Sequence, residues 1–175
     1  SISREPWVGA LGLLISPSRG LIVFSPIVLV AIAAAGQPMR SRNELRPGWL
    51  AIAVLLQFVA YACYSVWWGG HTYGPRYMID ILVPLAPLAA LGVQRIAGYR
   101  PLAVTGTLLL AWSLLVAGVG AFVYPNERWN VDPASVDRNH ERLWQIRDSQ
   151  ILRALESPAS PQNQSLYDWG TVRRQ

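Results

Sequence analysis

Apolar residues run along this chain in continuous stretches rather than in the alternation of a half-buried strand. Four stretches stand out, at about 21–35, 49–66, 78–93 and 102–123. The last has 22 residues and no charge. At 1.5 Å per residue it would be about 33 Å long, enough to cross the hydrocarbon core of a bilayer. The first, LIVFSPIVLVAIAAA, is short, but Trp7 to Ile15 precede it as an earlier helix end or re-entrant segment. The third contains Asp80, Pro84 and Pro87. Helices are the natural form, because an isolated strand leaves its backbone groups unsatisfied in lipid, and neighbouring helices can cover the carbonyls that proline frees. Gly106, Gly118 and Gly120, with Ala111 and Ala117, predict close packing along the fourth stretch. The expected fold is an all-α, polytopic bundle of about four transmembrane spans over 1–123, followed by a polar C-terminal tail over 124–175.

Within the tail, Asn139 is placed to cap a helix through ERLWQIRDSQILRALE, with Glu141 in its first turn. Trp144, Ile151 and Leu155 would share a face, interrupted by Asp148, and that face would pack on the outer surface of the bundle. SPASPQNQS, from Ser157, reads as a linker.

Composition agrees with a membrane setting: 52% of residues are hydrophobic and only 14% charged, in short blocks, whereas a soluble domain carries about a quarter. All 15 basic residues are arginines, giving a net charge of +5. They lie beside apolar runs and in the tail, without a dense patch or a nucleic-acid-binding motif, so nucleic acid is not an expected partner. Arg40, Arg42 and Arg46 oppose one acid, Glu44, between the first and second stretches; Arg95 and Arg100 stand without an acid between the third and fourth. With four spans both connections share a side, and the positive-inside rule makes it cytoplasmic. SPSRG, the WWGGHTYGPRY connection and the tail then face out of the cytoplasm. The single Cys63 rules out an internal disulfide or a cysteine-rich metal site and is read as packing. A chain that opens on Ser1, with no signal peptide there, reads as a piece of a longer protein.

Candidate chemistry concentrates in two of the outward segments. Ser16-Pro17-Ser18-Arg19-Gly20 and Trp67 to Tyr77 each put one arginine at the start of a span. There a guanidinium can make a forked, charge-assisted contact with a phosphate, and glycines allow close backbone approach. Interfacial arginines also snorkel, and Trp and Tyr form belts without chemical duty. Two Trp, three Gly, two Tyr, His71 and Arg76 within 11 residues favour a functional surface. Asp80 stands four residues after Arg76, so helical spacing predicts an ion pair, either fixing the loop or aiming Arg76 at an anionic ligand. His71 has no paired histidine or carboxylate cluster near it in sequence, and an ordinary loop hydrogen bond is its plainer reading. No metal-site, nucleotide-binding or serine-hydrolase motif is present, so no cofactor is expected in this chain and a divalent metal stays open.

GLLISPSRGLIVFSP (12–26), WWGGHTYGPRYMIDILVP (67–84) and WNVDPASVDRNHERLWQIRDSQ in the tail resemble the C-terminal membrane part of bacterial GT-C-type glycosyltransferases that use polyprenyl-phosphate sugars. These are related to the protein O-mannosyltransferases and the lipid A aminoarabinose transferase. The resemblance implies a sugar transferred from a polyprenyl-phosphate carrier to a glycan, lipid or protein acceptor at the outer face of the cytoplasmic membrane. It implies a catalytic acid in an early outward loop, to which no position here corresponds, so the catalytic residue is unknown. Arg19 and Arg76, with Ser18, His71, Tyr73 and Asp80, are the candidates for the lipid-phosphate or sugar side. A non-catalytic membrane scaffold of an envelope complex is the main alternative. A transporter is disfavoured because the polar residues sit at the interface rather than at mid-membrane depth.

Overall fold

A computed structural model describes residues 3, 5–35, 47–123 and 126–157. Among these residues the chain is helical, with no strand. Its helices are α1 (Pro6–Ile15), α2 (Leu21–Phe24), α3 (Val28–Ala35), α4 (Pro47–Ala62), α5 (Ile79–Ile96), α6 (Arg100–Phe122) and α7 (Gln150–Glu156). Short 3₁₀ turns cover Arg76–Met78, Asn126–Asn130 and His140–Trp144. The arginines of the first connection (Arg40, Arg42, Arg46), with Glu44, and the linker beyond Ser157 lie outside the described residues.

Two helical stretches, Arg76–Ile96 and Arg100–Phe122, are long and apolar enough to cross a membrane. The apolar helices α1 and α4 are shorter. In α6 only 17% of the most apolar stretch is buried, where the core helix of a soluble protein would be mostly covered. Leu108, Leu114 and Val104 project outward from it, as Val83 does from α5 and Leu56 from α4.

The first apolar stretch is not one helix. Ser25-Pro26 breaks it into α2 and α3, because proline lacks the N–H that would continue the ladder. The break is covered from α6: Trp112 Nε1 donates to the Val23 carbonyl at 2.8 Å, and the Ile27 N–H donates to Ser113 Oγ at 3.4 Å. Pro84 and Pro87, by contrast, lie inside an unbroken α5.

Glycines set the helix spacing. A Cβ on Gly9 would stand 2.3 Å from the Ala62 carbonyl oxygen, and one on Gly92 would stand 2.5 Å from that of Val30, so α1 meets α4 and α3 meets α5 almost backbone to backbone. Along α6 the expectation of glycine-mediated packing divides. Gly106 sits under the tip of Ile96, Gly120 receives the ring of Tyr73 from a loop, and Gly118 faces open space.

The tail departs from the single helix expected of it. His140–Trp144 is a 3₁₀ turn, and α7 starts separately after Ser149, whose side chain accepts from the Leu152 N–H at 3.4 Å. Asn139 makes no cap; its Nδ2 donates to the Ser135 carbonyl. Arg142 is the reason. It is buried, pairs with Asp148 at 3.0 Å and donates to the carbonyls of Asp132 and Ala134, so the chain bends around the guanidinium instead of continuing as a helix. Ile151 is buried with Ala154, while Trp144 and Leu155 are exposed. Trp129, Val136 and Leu143 join the same buried cluster as Leu13, Trp67, Met78 and Leu88, so the 126–157 segment shares one core with the helices and forms a cap over one end of them.

Candidate functional site

The SPSRG turn, the loop between α4 and α5, and the cap converge on Arg19. Its side chain is fully buried, and each of its five N–H groups has an acceptor. Nε donates to the Trp68 carbonyl at 2.7 Å. Nη1 donates to the Ser18 carbonyl at 2.9 Å and to Gln150 Oε1. Nη2 donates to Asn130 Oδ1 at 2.7 Å and to the Gly70 carbonyl at 3.1 Å. All five acceptors are neutral. Burial pushes the guanidinium down to about 9, with the Asp137 carboxylate acting in the opposite direction, so it remains charged at neutral pH. The indole of Trp129 lies 5.4 Å from Arg19 Cζ and 4.6 Å from Arg142 Cζ and serves both cations.

Local sequence explains how the acceptors are presented. Gly69 and Gly70 take φ of +77° and +72°, a region that side chains disfavour, and the turn they make aims the Trp68 and Gly70 carbonyls inward. Gly74 has φ of +70°, and its N–H donates to Gln150 Oε1 at 3.0 Å. Gln150 Nε2 donates to the Thr72 carbonyl at 2.8 Å. Ser16 Oγ donates to the Leu143 carbonyl at 2.6 Å, a second tie between the α1–α2 turn and the cap. Ser18 Oγ and Thr72 Oγ1 are the two buried side-chain polar atoms without a hydrogen-bond partner among the described residues.

The six candidate residues separate by accessibility. Ser18 and Arg19 are buried, and Tyr73 is half-buried with its hydroxyl donating to the Val116 carbonyl at 3.2 Å; burial pushes this phenol up to about 12. His71, Arg76 and Asp80 are exposed. His71 Nε2 lies 2.8 Å from Asp137 Oδ2, while Asp137 Oδ1 accepts from Trp68 Nε1 at 3.0 Å. The Trp68 hydrogen bond, helped by His71, holds the Asp137 carboxyl below its usual range against the opposing effect of burial. The expected Arg76–Asp80 pair does not form. Arg76 starts a 3₁₀ turn and α5 starts only at Ile79, so four-residue α-helical spacing does not apply across the junction. Asp80 instead accepts from the Tyr61 hydroxyl at 3.1 Å, beside the stacked rings of Tyr61 and Tyr77.

Next to the Arg76 turn lies an apolar groove of about 350 Å³ between α2, α5 and α6. Tyr73, Gly74 and Pro75 line its cap end, with Ile79, Leu82 and Val116 along its sides. Asn130, Asp137 and Gln150, which complete the polar network, carried no individual signal in the sequence. Their only mark was position within the tail segment WNVDPASVDRNHERLWQIRDSQ. No protein-family model, curated protein or solved structure matches the chain.

Proposed function

We propose that the chain is a multi-pass helical bundle of the cytoplasmic membrane whose cap faces out of the cytoplasm. In this reading it forms the carrier-lipid side of a glycosyltransferase that uses polyprenyl-phosphate sugars. The spans are α2 with α3, then α4, α5 and α6. Large apolar side chains on the outer faces of α4, α5 and α6 support the embedding, since a water-soluble surface rarely carries patches of that extent. Arg95 and Arg100 flank the α5–α6 turn without an acid between them in the sequence, and by the positive-inside rule this supports a cytoplasmic position for that end and an outward-facing cap.

The observation that carries the substrate class is the groove beside Arg76. An apolar slot between α5 and α6, closed at its cap end by Tyr73 to Pro75 and followed in the chain by an exposed arginine, suits a prenyl chain with a phosphate at its end. The acceptor hydroxyl would attack the anomeric carbon as the carbon–oxygen bond to the carrier phosphate breaks. Arg76 would stabilise the charge growing on the departing phosphate. The base that activates the acceptor is assigned to no residue of this chain. Arg19 has every donor occupied, so its part in this reading is to hold the loop that carries Arg76 rather than to touch phosphate.

A scaffold is the second reading, and the same Arg19 network favours it: an arginine that fastens three segments together builds a rigid platform with or without chemistry. Binding of polyprenyl phosphate to the purified protein separates the two. Loss of a charge-assisted hydrogen bond of about 1.5–3 kcal/mol makes Arg76→Ala about ten- to a hundredfold weaker than wild type. Equal binding by wild type and variant, or no specific binding by folded wild type, removes the carrier-lipid reading and leaves the scaffold. Embedding is checked separately by resistance to alkaline carbonate extraction.

A further inference from the structure

Asp80 is the one acidic residue on helices α1 to α6, and it stands in the first turn of α5 at the capped end. A carboxylate on an apolar helix is costly to keep beside lipid and calls for a partner. The described residues supply no cationic one: Asp80 is exposed and forms no ion pair with Arg76 or any other cation among them. Nor does it cap the start of α5. Its hydrogen bond comes from a neutral group, the Tyr61 hydroxyl, at Oδ2, which leaves Oδ1 without a protein donor among the described residues. Tyrosine rings crowd the same place. Tyr61 stacks on Tyr77 with centroids 4.7 Å apart and planes 7° from parallel. Tyr64 meets Tyr77 edge-on at 5.9 Å and is 41% exposed. Interfacial tyrosines form belts without chemical duty, but a belt needs no carboxylate bonded to one of its rings.

From this juxtaposition we infer that Asp80 and the tyrosine cluster beside it bind a primary alkylammonium, supplied by the ethanolamine headgroup of a phospholipid. The ammonium N–H groups donate to Asp80 Oδ1, and the negative faces of the tyrosine rings attract the same charge. Charge complementarity selects the class, because a carboxylate and aromatic faces both favour a cation over a phosphate. The lipid source follows from the proposed topology, on which the inference rests, since it puts the start of α5 at the level of the outer headgroups. A choline headgroup has no N–H to offer the carboxylate, and a glycerol headgroup has no cation. The site uses neither Arg76 nor the groove beside it, and it does not depend on a transferase activity.

Native mass spectrometry of the purified protein in a neutral detergent tests it. The probes are dioleoyl phosphatidylethanolamine, phosphatidylcholine and phosphatidylglycerol, with soluble O-phosphoethanolamine. Wild type is expected to bind phosphatidylethanolamine more tightly than the other two lipids, and not to retain phosphoethanolamine. Asp80→Asn keeps the side chain's shape but removes its charge. It should lower phosphatidylethanolamine affinity about three- to tenfold and leave phosphatidylglycerol unchanged. Tyr61→Phe keeps the ring stack and loses only the hydroxyl that holds the carboxylate, so its loss should be smaller. Helical circular dichroism checks that each variant is folded. Equal binding of phosphatidylethanolamine and phosphatidylglycerol by wild type overturns the inference, as does undiminished phosphatidylethanolamine binding by a folded Asp80→Asn. Retention of phosphoethanolamine as tight as that of the lipid also overturns it, because the ligand would then be a soluble ammonium rather than a headgroup. Carbonate extraction separates the two levels of failure: a protein that resists extraction and fails here loses the headgroup site alone, whereas one that is extracted loses the topology beneath it.

Discussion

Replacing Arg19 by methionine keeps most of the length of the buried stem and removes all five donors. Gln150 Oε1 retains the Gly74 N–H, and Asn130 Oδ1 retains Gln150 Nε2 at 3.4 Å. The carbonyls of Ser18, Trp68 and Gly70 lose the guanidinium bond. Each newly unsatisfied buried acceptor costs about 1–3 kcal/mol, offset in part by no longer burying a charge, so a net loss of about 3–4 kcal/mol is expected. The loss should be local. Arg19 bonds join the α1–α2 turn, the α4–α5 loop and the cap, and none of these hydrogen bonds reaches α5 or α6. Hydrogen exchange followed by mass spectrometry should therefore speed up about 100- to 1000-fold in peptides from the cap and from 67–74, with exchange in α5 and α6 little changed. Arg19→Lys, with a point charge in place of a fork, should give a smaller acceleration of about tenfold. Unchanged cap exchange in a folded Arg19→Met protein would refute the fastening role. If that variant also lost polyprenyl-phosphate binding, Arg19 would be a ligand contact.

Glycine spacing and the Asp137 pair make further predictions. Gly9→Ala and Gly92→Ala each drive a Cβ into a neighbouring helix backbone and should destabilise by about 1–3 kcal/mol, whereas Gly118→Ala, facing open space, should be neutral or stabilising by up to about 1 kcal/mol. Thermal unfolding in detergent ranks the three, and equal melting temperatures would sink the close-packing account. The Asp137 carboxyl binds its proton less readily folded than unfolded, so its contribution is whole above its ordinary value of 3.8 and disappears as pH falls through the lower folded value. Tryptophan fluorescence should then show an acid-sensitive change near Trp68 in wild type that is smaller in Asp137→Asn, and superimposable acid titrations would count against the pair.

The helical class and the two long apolar helices could be read from the chain because continuous apolarity is a local property. α6 begins at Arg100 and ends at Phe122, close to the apolar stretch of 102–123. The break at Ser25-Pro26 was less legible: a proline in an apolar run can be absorbed, as Pro84 and Pro87 are, or can split the helix, as Pro26 does. Trp112 and Ser113 from α6 serve the freed groups at this break, and a pattern of neighbours along the chain does not contain that partnership. The tail helix failed for a similar reason. Its periodicity could not weigh the demand of a buried Arg142 for carbonyls on Asp132 and Ala134.

Composition and order by themselves marked the residues with unusual potential: arginine at the start of apolar helices, glycines in the loop, an acid-free turn between α5 and α6. Only the tertiary structure decided what each arginine does. Arg19 and Arg76 stand in similar local settings, yet one is enclosed by five acceptors drawn from as far away as Gln150 and the other is exposed. The physical reason is that a guanidinium's free energy depends on whether its donors are met by water or by protein. Partners 49 to 131 residues distant settle that question for Arg19.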